Sequence, residues 1–353
     1  MTADRPIVSS GDITIAEADR ADAGLWDAFV QSHPDGSFFH LFGWKRVLEE
    51  GAGFDTPFLI ARRGAQVTGV LPLAHTRSWL FGNALVSLPF CVRGGALAHD
   101  EASAAALIRH ACQLAETHRV DHLELRHANR QAPGLVCKAE TYVNFSRAIL
   151  PSEEDNLKAI PRKQRAVVRK GIADGLVSHE GHDFDTFFRI YATSVRNLGT
   201  PVFPKRYFRA LLDTFGDRIR ITTVSHGQKP LASVLSFLHR GTVMPYYGGG
   251  LPAARIHKAY DFMYWEVMRT ACAAGYTTFD YGRSKVGSGA YAFKKNWGFE
   301  PAPLRYEYHL VKRAALPDLN PANPRFALAV AVWKKLPLPL ANLLGGRISP
   351  WLA

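Results

Sequence analysis

The 353-residue chain has few of the residues that mark several common protein classes. It has four cysteines, and no two are spaced as a CxxC pair, which argues against zinc knuckles and thioredoxin-like redox chemistry. So few cysteines in so long a chain fit a reducing compartment. The longest uncharged stretch, Ser78–Val92, is interrupted by Gly82, Asn83 and Pro89 and is too short for a membrane-spanning helix. The opening residues lack the basic and apolar segments of a signal peptide, so we expect a soluble cytoplasmic protein.

Acidic residues are scarce relative to basic ones, with 31 Asp and Glu against 43 Lys and Arg and a net charge of +12. This excess favours an anionic partner such as nucleic acid, a nucleotide diphosphate or a membrane surface. The sequence has no GxSxG motif and no Walker A motif; Gly282–Gly289 only imitates the latter. The histidines are not spaced as metal ligands on a helix, so we expect no metal site.

Strand and helix patterns alternate along the chain and predict an α/β or α+β fold. Among others, they predict strands over Gln66–Thr76 and Tyr142–Leu150 and helices over Arg162–Ala173, Phe184–Leu198 and Lys205–Phe215. Segments of the second half repeat those of the first half in the same order, at offsets of about 160 residues. GVLPLAH (Gly69–His75) matches SVLSFLH (Ser233–His239), and IRHAC (Ile108–Cys112) matches MRTAC (Met268–Cys272). Two unrelated α/β domains would also share an order of strands and helices, but a duplicated unit explains the sequence matches as well.

The repeat predicts two similar domains, Ile13–Leu150 and Pro151–Lys312, with a substrate cleft between them. Residues 313–353 form a proline-rich tail that is rich in basic residues. Its segment Phe326–Trp333, which Lys334 and Lys335 follow, allows two interpretations. It is either a short amphipathic helix on a membrane surface or a brace that packs on the protein body.

A run of bases follows the start of the second half and contains no acidic residue between Asn156 and Ala173. Pro161 suits the first turn of a helix, which would place Arg162, Arg165 and Arg169 on one face. Such a face is either a solvated surface or a site for a polyanion. The candidate anion- or nucleic-acid-binding residues are Arg162, Lys163, Arg165, Arg169 and Lys170.

The stretch Met244–Pro301 reads as strand, glycine loop, helix, strand, glycine loop and a helix that ends in Trp-Gly-Phe. This order is similar to that of GNAT-type N-acyltransferases, in which a strand, a loop and a helix N-terminus form the donor site. Its first loop, GGGLPAARIHKAYD, departs from the pattern expected for acetyl-CoA because Pro252 has no N–H to donate. Where many such enzymes have a tyrosine, this chain has Lys294, which could stabilise an oxyanion.

These segments together resemble the FemAB family of tandem GNAT-like (BioF2-like) domains, and most closely its members from exosortase and PEP-CTERM systems. The runs that carry the resemblance are LFGNALVSLPFCVRGG, NLKAIPRKQRAVVRKGI, SVRNLGTPVFPKRYF, MPYYGGGLPAAR and FKKNWGFEPAPLRYEYHL. The resemblance covers about Ile13–Leu310. It implies transfer of an amino acid from aminoacyl-tRNA to a peptidoglycan precursor. The chain has no room between Arg162 and Phe203 for the helical hairpin of several family members, which argues against tRNA as donor.

The resemblance also implies roles for particular residues. Phe293 and Lys294 match a pair that places a lysine at the reaction centre. Lys45 or Arg46, beside Trp44, matches a base that binds the nucleotide diphosphate of the acceptor, and Arg196 or Arg206 matches a second such base. Further candidate substrate-binding residues are Tyr247, Gly248, Asp280, Arg283, Tyr291 and Lys295.

The sequence therefore favours an acyl- or aminoacyltransferase that acts on an amine of a peptidoglycan, exopolysaccharide or other cell-envelope precursor. We expect the acceptor to be linked to a nucleotide diphosphate or a lipid, and the donor to be aminoacyl-tRNA or acyl-CoA, with no bound cofactor. One alternative is an acetyl-CoA-dependent N-acetyltransferase of exopolysaccharide biosynthesis. Another is a non-catalytic protein that binds tRNA or an anionic glycan. The oligomeric state does not follow from the sequence.

Overall fold

The computed structural model describes residues 13–78, 82–127, 132–316 and 324–352. Its strands are β1 (Ile13–Glu17), β2 (Leu59–Arg63), β3 (Gln66–Leu71), β4 (Ala74–Ser78), β5 (Gly82–Val86), β6 (Leu97–Ala98), β7 (His122–Leu125), β8 (Val136–Lys138), β9 (Tyr142–Ala148), β10 (Leu176–Gly181), β11 (Ile219–His226), β12 (Lys229–His239), β13 (Thr242–Gly250), β14 (Thr278–Lys285), β15 (Pro301–Pro303) and β16 (Tyr306–Leu310).

The α-helices alternate with these strands, as expected for a mixed α/β protein. They are α1 (Ala23–Ser32), α2 (Gly43–Arg46), α3 (Glu101–Thr117), α4 (Glu153–Ala159), α5 (Arg162–Ala173), α6 (Phe184–Leu198), α7 (Lys205–Phe215), α8 (Ala253–Ile256), α9 (Ala259–Ala273), α10 (Gly289–Asn296), α11 (Pro324–Lys335) and α12 (Leu338–Ile348). Helix α2 continues as a wider π-helical turn over Val47–Ala52.

The chain divides into two compact units. Within the described residues, unit 1 comprises residues 13–45, 306–316 and most of 54–137, and unit 2 comprises residues 46–53, 138–305 and 324–352. The sequence prediction places the boundary between Leu150 and Pro151 and the end of the second domain at Lys312. In the structure, β9 pairs with β14 in unit 2, whereas β16 pairs with β7 in unit 1.

Unit 1 contains two sheets, with strand orders β1-β2-β3-β6 and β4-β5-β7-β16-β8. The sequence pattern predicts one strand over Gln66–Thr76, but the structure divides it into β3 and β4, which belong to different sheets. Pro72 lies at the break, where a residue without an N–H cannot continue a hydrogen-bonded ladder. Strands β5 and β7 run parallel, and α3 connects them.

Unit 2 is built on one sheet of order β10-β11-β12-β13-β14-β9-β15. Its strands are antiparallel except β13 and β14, which are parallel and are connected by α8 and α9. Large aromatic side chains fill the core on the α9 side, among them the fully buried Phe145, Trp265, Phe279 and Trp297. Helices α4, α5 and α8 contact α9 and complete this layer.

The last two helices pack on α6 of unit 2. The Arg196 guanidinium at the end of α6 donates to the Leu336 carbonyl oxygen at 2.8 Å. Gly345 of α12 lies so close to Val202 that a Cβ atom would come within 2.9 Å of the Val202 backbone nitrogen. Within the part of the chain that the structure describes, no helix is long and apolar enough to cross a membrane.

Candidate active site

The two parallel strands of unit 2 separate almost as soon as they meet. β13 and β14 pair only at Thr242 with Thr278 and at Val243 with Phe279, and no further pairs follow along the strands. Beyond this point a cavity of about 670 Å³ borders both strands. Its lining comes from seven elements or their flanking loops: Gln164 and Val167 of α5, Ser194 and Leu198 of α6, Gly248 of β13, Tyr281 of β14, Ala254, Arg255, Lys258, Tyr260, Asp261 and Tyr264 of the α8–α9 region, and Gly289, Ala290, Phe293 and Lys294 of α10.

The glycines at the end of β13 allow α6 and α9 to lie directly against the strand. A Cβ atom on Gly249 would lie 2.8 Å from Cβ of Ser194, and one on Gly250 would lie 2.7 Å from the Tyr260 ring. Lys258 then adopts a left-handed conformation, with φ of 59°, and serves as the N-terminal cap residue of α9. The beginning of α9 is thus brought to the cavity, with Arg255 and Lys258 in its wall.

Lys294 lies in the cavity wall and is almost completely buried. Its ammonium donates to three successive carbonyl oxygens of β14, those of Tyr281, Gly282 and Arg283, at 2.8, 3.0 and 3.1 Å. The ammonium also lies 5.6 Å from the Phe145 ring centroid and 5.9 Å from that of Tyr281. Burial lowers the pKa of Lys294 to about 8, against the influence of the Asp280 carboxylate, which raises it. In this arrangement the lysine fixes β14 beside the cavity, and an oxyanion would have to replace one carbonyl.

Asp261 places a carboxylate in the same wall, and the sequence analysis did not single it out. One of its oxygens, Oδ1, accepts a hydrogen bond from the Trp297 indole at 2.9 Å and another from the Gln164 amide. Burial raises its pKa, and the nearby Lys258 opposes that shift. A carboxyl group with a raised pKa beside a cavity is suited to proton transfer.

Tyr281 gives the cavity wall a second polar group that sequence analysis missed. Its side chain is 5% exposed, and its hydroxyl oxygen is buried without a hydrogen-bond partner. Burial raises the pKa of this phenol well above its usual value, so the hydroxyl stays protonated and able to donate. Tyr264 packs edge-on against it at 5.0 Å between ring centroids. Because buried hydroxyls usually have partners, this one is a candidate contact for a substrate.

The structure places only some of the predicted substrate-binding residues at the cavity. Gly248 and Phe293 line it, and the Phe293 ring contacts that of Tyr264 at 5.6 Å. Tyr291 packs on Phe145 instead, and Lys295 is exposed on the opposite face of α10. These positions follow from the helical period, because Ala290, Phe293 and Lys294 share the face at i, i+3 and i+4 that lines the cavity, whereas Tyr291 and Lys295 lie on the neighbouring face.

Three other predicted residues of unit 2 lie on β13 or β14 but are not among the residues that line the cavity, and they take part in internal contacts. The Asp280 carboxylate accepts hydrogen bonds from the Asn144 amide at 3.0 Å and from the Gly282 backbone N–H at 2.7 Å. Arg283 lies over the Tyr142 ring at 4.5 Å. Tyr247 is buried, and its hydroxyl is 2.9 Å from that of Tyr207 in an aromatic cluster.

The four bases predicted to bind diphosphate do not converge within either unit. In unit 1, the Lys45 ammonium donates to the Thr56 hydroxyl at 3.2 Å. In unit 2, Arg46 forms an exposed ion pair with Glu50, and Arg206 donates to the Gly51 carbonyl oxygen at 3.1 Å. Arg196 binds the C-terminal segment, as described above. Their roles toward a substrate stay predictions.

The basic helix α5 has the bounds expected from sequence, Arg162–Ala173. Some of its basic side chains bind groups of the protein itself. Lys170 pairs with Asp174 at 3.2 Å, one residue beyond the stretch that lacks acids. Arg165 donates to the Lys158 carbonyl oxygen at 3.1 Å. Arg162, Lys163 and Arg169 are exposed, whereas Gln164 and Val167 of the same helix face the cavity. One helix thus lines the cavity and presents bases to solvent.

The cavity lies within a segment that has a recognisable family. Residues 156–295 match the model for the acetyltransferase (GNAT) domain. This GNAT-type segment begins in α4 and ends in α10, so it contains the diverging strands, the glycine segment and Lys294. No curated protein matches the chain.

Several solved structures share the fold across nearly the whole chain. FemX is 14% identical, with a TM-score of 0.64, over 90% of this chain and 100% of its own. A tandem GNAT protein from the clavulanic acid biosynthesis pathway is 13% identical, with a TM-score of 0.54, over 86% of this chain and 100% of its own. L-PGS from Bacillus licheniformis is 14% identical, with a TM-score of 0.54, over 91% of this chain and 98% of its own. The predicted tandem GNAT-like α/β fold is therefore confirmed.

Proposed function

We propose that the GNAT-type domain of this protein transfers an acyl or aminoacyl group to an amine of a cell-envelope, exopolysaccharide or peptidoglycan precursor. The observation that carries the proposal is the cavity bordered by β13 and β14, which Lys294, Asp261 and Tyr281 all line. The fold shared with FemX and with L-PGS supports transfer of an acyl or aminoacyl group. The link to exosortase and PEP-CTERM systems stays a prediction from sequence resemblance.

The reaction needs a nucleophile, a proton acceptor and charge stabilisation. The amine nitrogen attacks the carbonyl carbon of an ester or thioester donor, and a C–N bond forms as the carbonyl oxygen becomes an oxyanion. Asp261 takes the proton that the nitrogen loses. The C–O or C–S bond then breaks, and the departing oxygen or sulfur takes up a proton from the site. No covalent enzyme intermediate is required.

The remaining groups stabilise charge and align the substrates. The Tyr281 hydroxyl donates a hydrogen bond to the developing oxyanion, since it has no other partner in the structure. The Lys294 ammonium contributes a positive charge near the oxyanion while it stays hydrogen-bonded to the carbonyl oxygens of β14. The aromatic wall of Tyr264 and Phe293 excludes water, which strengthens both interactions. Alignment of donor and acceptor in one cavity supplies the rest of the acceleration.

A specific observation also supports acyl-CoA as the donor. Arg255 and Lys258 lie in the cavity wall next to the first turn of α9, where free backbone N–H groups favour an anion. The diphosphate of coenzyme A fits this chemistry. An acetyl-CoA-dependent N-acetyltransferase is therefore the second candidate.

The decisive experiment compares donors on one set of acceptors. The acceptors are nucleotide-linked and lipid-linked precursors that carry an amine. Each is incubated with the purified protein and either acetyl-CoA or aminoacyl-tRNA, and the masses of the products are measured by mass spectrometry. A mass increase that requires the intact protein and that the Asp261→Asn variant produces at least about tenfold more slowly would support transfer and would identify the donor class. Binding of the same precursors or of tRNA without any mass increase would favour the non-catalytic alternative.

A further inference from the structure

The two C-terminal helices each expose one face that combines large apolar side chains with a base. On α11, Leu328, Val332 and Lys335 follow one another at intervals of four and three residues and are all exposed. On α12, Leu340, Leu343 and Arg347 do the same at intervals of three and four. These spacings place each set on a single helix face. The exposed fractions of Leu328, Val332 and Leu343 are 76%, 54% and 57%.

This exposure is a consequence of how the helices are held. Gly345 packs on the Val202 backbone, Gly346 packs on Pro204, and Ala341 is buried. On α11, Val330 packs so closely on Gly199 that a Cβ atom there would lie 2.5 Å from its Cγ1 atom. Ala341, Gly345, Gly346 and Val330 therefore face the protein body. Leu328, Leu340 and Leu343 face solvent instead. An isolated exposed leucine needs no explanation, but four large apolar side chains on two consecutive helices do.

The charged residues of this C-terminal segment are all of one sign. Between residues 324 and 352 the sequence has four basic residues and no aspartate or glutamate. Protein interfaces are depleted in lysine at their centres, whereas leucines flanked by Lys and Arg on an amphipathic helix are typical of segments that lie on membranes. We propose that the outward faces of α11 and α12 form a docking surface for an anionic lipid bilayer.

The helices would lie in the plane of the bilayer with the leucines at the acyl boundary. Neither helix can span it, as described above. Lys335 and Arg347 would contact lipid headgroups, and each base close to an anionic surface strengthens binding about fivefold. This surface is separate from the cavity residues, so the inference holds whatever the transfer reaction is.

Vesicle sedimentation of the full chain tests the inference. The probes are vesicles of phosphatidylcholine alone and vesicles in which one third is phosphatidylglycerol, at low and high salt. We expect the partition coefficient to be about 25-fold higher on the anionic vesicles and to fall with salt. Changing Leu328, Val332 and Leu343 together to Gln should lower it at least tenfold, and changing Lys335 and Arg347 to Gln should abolish the preference for anionic lipid.

A matched control uses three similarly exposed apolar residues elsewhere in unit 2, namely Ile172, Val177 and Val286. Their change to Gln should leave vesicle binding unaltered. Equal loss in both triple variants would overturn the assignment of the surface. Absence of binding to anionic vesicles would overturn the proposal, and so would concentration-dependent self-association that the leucine variant abolishes without any vesicle binding. Circular dichroism verifies that each variant is folded.

Discussion

The two units use the same pair of parallel strands in opposite ways. In unit 1, β5 and β7 pair in parallel, and in unit 2, β13 and β14 do the same. The first strand of each pair leads into a glycine-containing segment: Gly94 and Gly95 come after β5, and the loop before α9 comes after β13. Beyond the last pair, Val86 with Glu124, residues of unit 1 itself fill the gap between the two strands. The Arg126 backbone N–H donates to the Ser87 hydroxyl at 2.7 Å, and the Arg126 guanidinium donates to the Cys91 carbonyl oxygen at 2.7 Å.

The filled arrangement of unit 1 is built with local backbone strain. Leu88 and Phe90 adopt left-handed conformations, with φ of 58° and 68°, which residues other than glycine seldom adopt. Backbone N–H groups of Gly94 and Gly95 donate to the Arg126 carbonyl oxygen and close the segment over the strand end. In unit 2 the corresponding space is the 670 Å³ cavity. A pair of diverging parallel strands therefore provides room for a ligand only where the gap between them is left open, as it is in unit 2.

The largest expected effect is the loss of stability when Arg126 of unit 1 is removed. Its guanidinium is 3% exposed and pairs with Glu124 at 2.6 Å. Arg126→Met removes the positive charge that pairs with a largely buried carboxylate, so we expect the free energy of unfolding to fall by about 3–5 kcal/mol. Urea denaturation followed by tryptophan fluorescence measures it. As a control, Arg77→Met removes an exposed partner of Asp55 and should cost at most about 1 kcal/mol. Equal losses would mean that Arg126 does not hold the filled gap.

The next effect concerns the lysine that borders the open gap of unit 2. Lys294→Met should lower transfer about 10²–10³-fold, the range for loss of a charge that stabilises an oxyanion. Steady-state rates on an identified acceptor measure it. Lys295→Met alters an exposed neighbour on the same helix and should leave the rate unchanged. Full activity of Lys294→Met would reduce the lysine to a clamp on β14.

The pH dependence tests the charge itself. The pKa of Lys294 is lowered to about 8 from 10.5, so its ammonium is lost as pH rises through about 8. If the charge acts in transfer, the rate declines above this pH, and Lys294→Met removes the decline. The unfolded chain binds more protons than the folded one between these two values, so stability should rise with pH over that interval. A rate that increases through pH 8 would instead assign Lys294 the role of a base.

A smaller effect is expected at the carboxylate of the cavity. Asp261→Asn retains an oxygen that can accept from Trp297 and Gln164 but removes the proton acceptor, so we expect a decrease in kcat/KM of about tenfold or more. Because Asp261 has a raised pKa, the wild-type rate should fall as the pH is lowered through that pKa, and the variant should lack this limb. Glu266→Gln changes another buried carboxylate of α9, one that bonds Ser178 and Arg269 outside the cavity wall, and should keep the limb.

The smallest effect belongs to the basic face of α5. Changing Arg162, Arg165 and Arg169 together to Gln should weaken binding of single-stranded RNA a few-fold and reduce the slope of log affinity against log salt by about 2. Filter binding at several salt concentrations measures both. A control triple of Arg189, Lys229 and Arg240, exposed elsewhere in unit 2, should retain the slope. An unchanged slope in the α5 variant would make this face a solvated surface.

Helix positions follow from the sequence more closely than strand partners do. Helices α5, α6 and α7 have the bounds that local patterns predict, because helical hydrogen bonds and caps connect neighbouring residues. Strand pairing joins distant residues, so the pattern of Tyr142–Leu150 predicts a strand, observed as β9, without indicating that it joins the sheet of unit 2. The matched segments GVLPLAH and SVLSFLH show the same limit. Pro72 and Ser236 occupy the same position in these two segments. The chain leaves β3 at Pro72, whereas β12 continues through Ser236 with a β-bulge in its pairing with β13.

The candidate site was predicted in part for a similar reason. Residue type and spacing indicate Lys294 and Phe293, and the structure places both in the cavity wall. The partners of Lys294 are backbone carbonyls, which no side-chain pattern records. Asp261 resembles an ordinary acidic residue in the first turn of a helix, and only its burial beside Trp297 distinguishes it. The orphaned hydroxyl of Tyr281 depends on three-dimensional packing and leaves no signal in the sequence.

The position of β16 affects how the chain can fold as the ribosome synthesises it. This strand lies between β7 and β8 in unit 1, and Glu307, fully buried, accepts a hydrogen bond from the Ala132 backbone N–H at 2.9 Å. Residues 138–305 of unit 2 must therefore be translated before the second sheet of unit 1 can close. At bacterial to eukaryotic elongation rates this delay is roughly 10–30 s. Unit 2 can begin to fold first, although it is encoded later, and the N-terminal unit waits for its last strand.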